Sequence, residues 1–185
     1  MEASGAQVKG YTYLSYVTPL KRERSALWSR LEEHLPDDSR EFFAGSIFAN
    51  NWYTRKHLHA LMEAFQTAVH GDVNEVRELG AMAARFQLHM IYRLFLKFAT
   101  PALVFKRATS VWSRQSNVGR FVVVEEADDH LIGELEDPDL PVGIPDLIAG
   151  WSDTIIAMLG RTPFPTSYEK VTPRRWRFKV SWVTR

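Results

Sequence analysis

Six histidines and twenty-two carboxylates are the side chains through which this 185-residue chain could do acid–base or metal chemistry. There is no cysteine. That removes disulfides, thiolate metal sites, iron–sulfur clusters and a cysteine nucleophile together. His57 and His59 stand two apart, so on a helix they point about 200° apart and do not share a metal. His89 lies in an apolar stretch with no Asp, Glu or His three or four residues away, which reads as a hydrogen-bonded core histidine. His34, His70 and His130 fall at the ends of expected elements and read as solvated.

Nucleophile signatures are missing as well. The chain contains no G-x-S-x-G, P-loop or G-x-G-x-x-G. Ser152, in Trp151-Ser152-Asp153, is a lone serine on an expected helix without an evident base, and reads as surface. The acidic group at 134–139 lacks the glycine and glutamate spacing of an EF-hand loop. It reads as a solvated strand end and turn. No catalytic residue and no metal ligand is therefore assigned, no cofactor is expected, and an enzyme is the less favoured class.

Arg107 and Arg114 stand seven apart in "KRATSVWSRQ", on one face of an expected helix whose Val104, Ala108, Val111 and Trp112 face inward. Two arginines on one face could clamp an anion or an acidic partner. They could equally pair with the acidic hairpin that follows, and that structural pairing is the expectation.

The elements that must position these residues follow from pattern. "QVKGYTYLSYV" at 7–17 is rich in aromatic and β-branched residues and suggests a strand. Thr18-Pro19 looks like a helix cap with proline at the first helical position, opening a helix to about His34 that Pro36 stops. A short helix is expected from Asp37 to Phe48. "TRKHLHALMEAFQTAVHG" is a clear amphipathic helix, capped by Thr54, with Leu58, Leu61, Met62, Phe65 and Val69 on one stripe. Asp72 opens the next helix, with Glu75 three residues on. Its second half, "FQLHMIYRLFLKF", should be a central buried helix. Thr100-Pro101 starts a helix to about Gln115. Then come two strands joined at Asp128-Asp129, an amphipathic helix at 144–160, and a second strand pair at 163–171 and 175–184. The expected class is α+β: a mostly helical half (1–115) packed on a four-stranded antiparallel sheet (116–185, strand–strand–helix–strand–strand), in a single domain.

Charge is unevenly spread. Net charge is +1, yet residues 121–160 hold ten acids and no Lys or Arg, while 161–185 hold seven bases and one acid. The closing "RRWRFKVSW" interleaves basic and aromatic residues, as nucleic-acid-binding strands do. Taken by alternate residues, however, Trp176, Phe178, Val180 and Trp182 share one face, and Arg175, Arg177, Lys179 and Ser181 the other. The aromatic face should be buried. The basic face should meet carboxylates from 125–137, with Glu134 and Glu136 as partners. Nucleic acid is thus not an expected partner.

Several segments together carry a resemblance: "LPDDSREFF" (35–43), "NNWYTRKHLHALMEA" (50–64), "GDVNEVRELGAMAARF" (71–86), "PALVFKRATSVWSRQSNVGRFVVVE" (101–125) and "IAGWSDTIIAMLG" (148–160). Their order resembles a paralogous family of chains of similar length, expanded in myxobacteria. The C-terminal half is also similar to a wider group holding vinyl-reductase-like domains and haem-based nitric-oxide sensors. The resemblance implies a ligand-sensing or scaffolding domain without a defined reaction. It also shows departures. Where the haem sensors carry Tyr-x-Ser-x-Arg for the propionates, this chain reads "ELEDP", Glu134 to Pro138, and 101–115 has no axial histidine.

The expectation is therefore a non-enzymatic cytoplasmic sensor or adaptor for signalling, binding a small apolar molecule between helices and sheet. The expected lining is Phe95, Phe98, Trp112, Trp151 and Ile155. A ligand-free protein-interaction module, with a homodimer as one form, is the alternative, and an enzyme of unrecognised type is a third. The longest apolar runs are too short for a membrane span.

Overall fold

A computed structural model describes residues 5–88 and 99–183. His89, Phe95, Phe98 and most of the expected central helix lie outside the described residues. The first strand pair is small: β1 (Gln7–Lys9) runs antiparallel to β2 (Trp52–Thr54). Between them lie α1 (Gly10–Glu23), α2 (Ser25–Glu33) and α3 (Asp37–Ala44). Then follow α4 (Lys56–Ala68), α5 (Val73–Leu88) and α6 (Pro101–Gln115). The remainder is β3 (Arg120–Glu126), β4 (His130–Glu136), α7 (Ile144–Met158), β5 (Pro163–Thr172) and β6 (Arg175–Trp182). The four C-terminal strands form one antiparallel sheet in the order β3-β4-β6-β5. The class is α+β, as expected.

The N-terminal segment departs from expectation. Only 7–9 is strand, and "GYTYLSYV" opens α1. Tyr13, Tyr16, Val17 and Leu20 are buried along it, which is helical spacing. Burial of that stripe overrides the strand leaning of its aromatics. Pro19 lies inside α1 rather than at a start, and the chain breaks instead at Arg24, whose backbone leaves the helical region. Arg24 there pairs with Glu75 of α5, so Glu75 serves a tertiary ion pair instead of a capping box. Thr54 ends β2, and Arg55 occupies the N-cap of α4 without a side-chain cap bond. Thr100 does cap α6, accepting from the Leu103 N–H at 3.3 Å, with Pro101 in the first turn.

Two apolar clusters result. One gathers α1 to α5 and the start of α7, around Tyr13, Leu20, Leu61, Phe65 and Leu147. The other joins the sheet to α6 and the end of α7, around Phe105, Leu131, Leu135, Ile155 and Phe178. Leu140, Ile148 and Trp151 touch both. Helices α5 and α7 meet at two glycines. A Cβ on Gly80 would lie 2.0 Å from the Leu147 carbonyl oxygen, and one on Gly150 1.9 Å from that of Arg77. Only residues without a side chain permit backbones this close.

The closing strand is amphipathic as expected. Phe178, Val180 and Trp182 are buried, and Trp176 is half-buried against Tyr168. On the other face Glu134 pairs in register with Arg177 and Glu136 with Arg175. The Arg177 Nη2 donates to Glu134 Oε1 at 2.8 Å, while Arg175 stands near both carboxylates. Cross-strand charge pairs of this kind fix register, since a one-residue slip would bury them.

A candidate ligand cavity between the helices and the sheet

A cavity of about 150 Å³ lies where the two apolar clusters meet. Its walls come from Val8 of β1, Thr12 and Tyr16 of α1, Phe105 and Trp112 of α6, and Phe121 of β3. Ile144, Leu147, Ile148 and Trp151 of α7 form another wall, with Leu140 from the preceding loop. Most of the lining is apolar. Polar groups enter singly: Arg55, Gln87, Gln115, Ser116 and Ser152. Several are already engaged. Thr12 donates to Gln115 Oε1 at 3.0 Å, the Trp151 indole N–H to Gln87 Oε1 at 3.0 Å, and Ser116 to the Val118 carbonyl at 2.7 Å.

Two of the expected lining residues, Trp112 and Trp151, stand in this wall. Ile155 is fully buried in the sheet-side cluster and is not among the residues that bound the cavity. Phe95 and Phe98 lie outside the described residues. Arg107 and Arg114 are exposed on α6, and it is Lys106 that pairs with the hairpin, through Glu126. Val111, expected inward, is 46% exposed, though it also lines the cavity.

The acidic turn contains the largest departure from the sequence reading. Asp137 is 2% exposed, not solvated. It accepts two hydrogen bonds from Arg55, from Nη1 at 3.0 Å and Nη2 at 2.7 Å. Its backbone N–H donates to the Arg174 carbonyl at 2.8 Å, and its Oδ1 also accepts the Asp139 N–H at 2.9 Å. Asp139 meets His59 at 3.1 Å. The loop that carries Leu140 into the cavity wall is thereby tied at both carboxylates to α4. Gly119, at φ +78°, makes room: a Cβ there would stand 2.6 Å from Asp137 Oδ2.

A sequence signal for Asp137 existed. Leu131, Gly133 and Leu135 alternate inward along β4, and Asp137 continues that phase. Arg55 likewise precedes Leu58, Met62 and Phe65 on the buried stripe of α4.

Among the described residues no group of three or more His, Asp or Glu is placed to ligate a metal. His57 is buried, stacked on Phe42 with ring centroids 4.2 Å apart, and hydrogen-bonded through Nδ1 to Ser39 Oγ at 2.9 Å. Burial, with Lys56 adding to it, depresses its pKa. A serine and a histidine in contact suggest a nucleophile pair, but both are closed from solvent and neither borders the cavity. Ser152, expected at the surface, is 1% exposed and forms part of the cavity wall. Asp153 is occupied by Thr166 and Arg77. His130, expected to be solvated, is held between Asp129 at 2.7 Å and Glu125 at 3.0 Å, and both carboxylates raise its pKa.

Solved structures share this fold over 94–95% of the chain. An Fe(II) unliganded H-NOX protein mutant, A71G, from K. algicida aligns with a TM-score of 0.71 at 11% identity, over 95% of this chain and 96% of that one. The fold is that of the H-NOX domains. An oxygen-binding H-NOX domain related to soluble guanylate cyclases, in its oxygen complex, aligns with a TM-score of 0.67 at 14% identity, over 94% of each chain. A Cs H-NOX mutant carrying 4-cyano-L-phenylalanine gives 0.69 at 9% identity, over 94% and 96%. No protein-family model matches the sequence, nor does any curated protein.

The group that an H-NOX-like fold implies is haem, and the described residues do not fit it. The cavity, about 150 Å³, is smaller than the several hundred Å³ usual even for drug-sized ligands, roughly 300–1,000 Å³. Haem iron takes His, Cys, Met or Tyr as axial ligand, and among the described lining residues Tyr16 is the one of these types. Burial pushes its hydroxyl up to about 12. The cation in the described wall, Arg55, is already committed to Asp137, which leaves no free guanidinium among the described wall residues for a propionate.

Proposed function

We propose that this chain is a cytoplasmic, non-enzymatic sensor or adaptor domain whose signal is a small apolar molecule bound between the helices and the sheet. The observation that carries the reading is the apolar cavity at the junction of the two clusters, walled by both halves of an H-NOX-like fold. A ligand there would touch α1, α6, α7 and β3 at once, and would favour whichever packing of helices on sheet leaves room for it. The described neighbours support a sensing role in their own terms, one of them being an oxygen-binding H-NOX domain in its oxygen complex. No helix among the described residues is long and apolar enough to cross a membrane.

Head-to-tail docking through the acidic and basic hairpins is the weaker reading. The carboxylates Glu134 and Glu136 are already paired with Arg177 and Arg175 inside the chain.

The test is thermal unfolding and tryptophan emission in the presence of benzene-sized probes, ethylbenzene and acetophenone. A bound ligand raises the melting temperature with concentration. Trp112 and Trp151, both in the wall, should report it optically. No thermal shift with either probe would remove the ligand reading.

A further inference from the structure

A second concavity takes no part in the apolar-ligand reading. It is an open cleft of about 380 Å³ between the loop that follows β4, the first turn of α7 and the β5–β6 hairpin. That volume falls within the roughly 300–1,000 Å³ usual for ligand pockets. Pro138, Pro141, Pro145 and Pro173 line it, and their fixed φ stiffens the walls before anything binds. The chemistry lies in Asp139, Asp146, Tyr168, Lys170 and Trp176, which line it too. Each is at least partly exposed, so a molecule in the cleft can reach them.

Charge and aromaticity set the class of ligand. Asp137, which also borders the cleft, is neutralised by Arg55. Asp139 has the His59 ring beside it at 3.1 Å. Asp146 accepts the Tyr168 hydroxyl at 2.5 Å, and among the described residues no cation pairs with it. A phenol donor leaves the carboxylate's charge in place, so the cleft favours a cation. Trp176 stands 5.7 Å from Tyr168 with the ring planes 65° apart, so the two aromatics form a corner. The Lys170 Nζ lies 5.4 Å from the centre of the Trp176 ring. The cleft thus already holds an ammonium against its aromatic wall, supplied by an exposed side chain of its own.

We propose that this cleft binds a small free organic cation, a quaternary ammonium, which takes the place of Lys170 against Trp176 and is balanced by Asp146 and Asp139. The ring quadrupole attracts a cation, most strongly for tryptophan, and quaternary ammonium groups are the ligands best held this way. The exchange is favourable because the lysine ammonium is compact and strongly hydrated. Leaving the ring returns it to water. The incoming group spreads the same charge over methyl groups and gives up less hydration. An anion would meet two carboxylates, and a neutral molecule of the same shape would gain nothing from them.

Titration calorimetry on the full chain tests it with choline and 3,3-dimethyl-1-butanol, which has the same shape without the charge. Choline should bind about tenfold tighter, the scale of a partly desolvated cation–π contact. Lys170→Ala removes the resident ammonium and should tighten choline about two- to fivefold, the scale of one exposed contact of this kind. Asp146→Asn keeps an acceptor for Tyr168 and should weaken choline about threefold, the scale of a partly exposed ion pair. Should Asp146→Asn not fold, the two probes on the unaltered protein and the exposed Lys170→Ala variant decide. Equal binding of the two probes, or no binding of choline, overturns the proposal. So does a Lys170→Ala variant that binds choline no better than the parent. A neutral peptide carrying trimethyllysine that binds more tightly than choline would assign the ammonium to a protein partner and overturn the small-molecule form.

Discussion

Arg55 and Asp137 are 82 residues apart in the chain and form a bidentate, almost fully buried ion pair, with Nη2 to Oδ2 at 2.7 Å. The pair joins the N-cap of α4 to the residue that follows β4, and so fastens the helical half to the sheet half. Desolvating two charges is costly. The geometry offsets that cost with two short bonds, plus the Asp139 N–H on the same carboxylate.

Removing one partner should be far worse than removing both. Arg55→Met or Asp137→Leu alone leaves an uncompensated buried charge and should cost about 3–5 kcal/mol. The double variant should cost clearly less than the sum of the two singles. Urea unfolding of the four proteins measures the coupling, and additive losses would show that the two side chains act independently.

The α5–α7 crossing makes a second prediction. Gly80→Ala and Gly150→Ala each place a methyl group within 2.0 Å of a backbone oxygen on the facing helix. Neither helix can yield without moving its neighbours, so each change should cost about 2–3 kcal/mol or more, despite the better helix propensity of alanine. Gly45→Ala meets nothing closer than 3.5 Å and should fall within about 0.5 kcal/mol of the parent. Thermal melts of the three variants check the contrast.

Two histidines should give stability opposite pH dependences. Burial first, and Lys56 second, depress the pKa of His57, with Asp38 opposing weakly. Its contribution is whole above the ordinary value of about 6.5. It is lost as pH falls from there through the lowered folded value, because the unfolded chain binds the proton more tightly. His130 runs the other way. Asp129 first, and Glu125 next, raise its pKa, so its contribution is whole below about 6.5 and lost as pH rises through the raised folded value. Melting temperatures from about pH 5 to 8 should lose their acid-side slope in His57→Gln and their alkaline-side slope in His130→Gln.

The sheet pairs should respond to charge and salt. Glu134→Lys sets a third cation against Arg175 and Arg177. The melting temperature should drop most at low ionic strength, and added salt should recover part of the loss. A loss independent of salt would mean that Glu134 matters through packing rather than charge.

Several of these features could be read along the chain. The alternation in "RRWRFKVSW" separates its aromatics from its bases, and the partners Glu134 and Glu136 alternate in the same way on β4. Thr100-Pro101 specified its own helix start. Local rules suffice there because the interacting groups are near in sequence or share a simple period.

The residues of the cavity were only partly legible. Trp112 and Trp151 stand out as large apolar residues on amphipathic helices, whereas Arg55 looks like one more base and Asp137 like one acid in an acidic turn. The inward phase of β4 carries through Asp137, but phase alone does not say that a cation waits 82 residues away.

By itself, then, the sequence determined the class, the strand pairs, the amphipathic faces and the absence of cysteine chemistry. Tertiary structure decided that "GYTYLSYV" is helix, that the acidic turn is an interior ion pair, and that a space remains between helices and sheet. The physical reason is range. Periodicity and caps act over a few residues, while burial, desolvation and unfilled volume depend on which distant surfaces meet, and only the folded chain sets that.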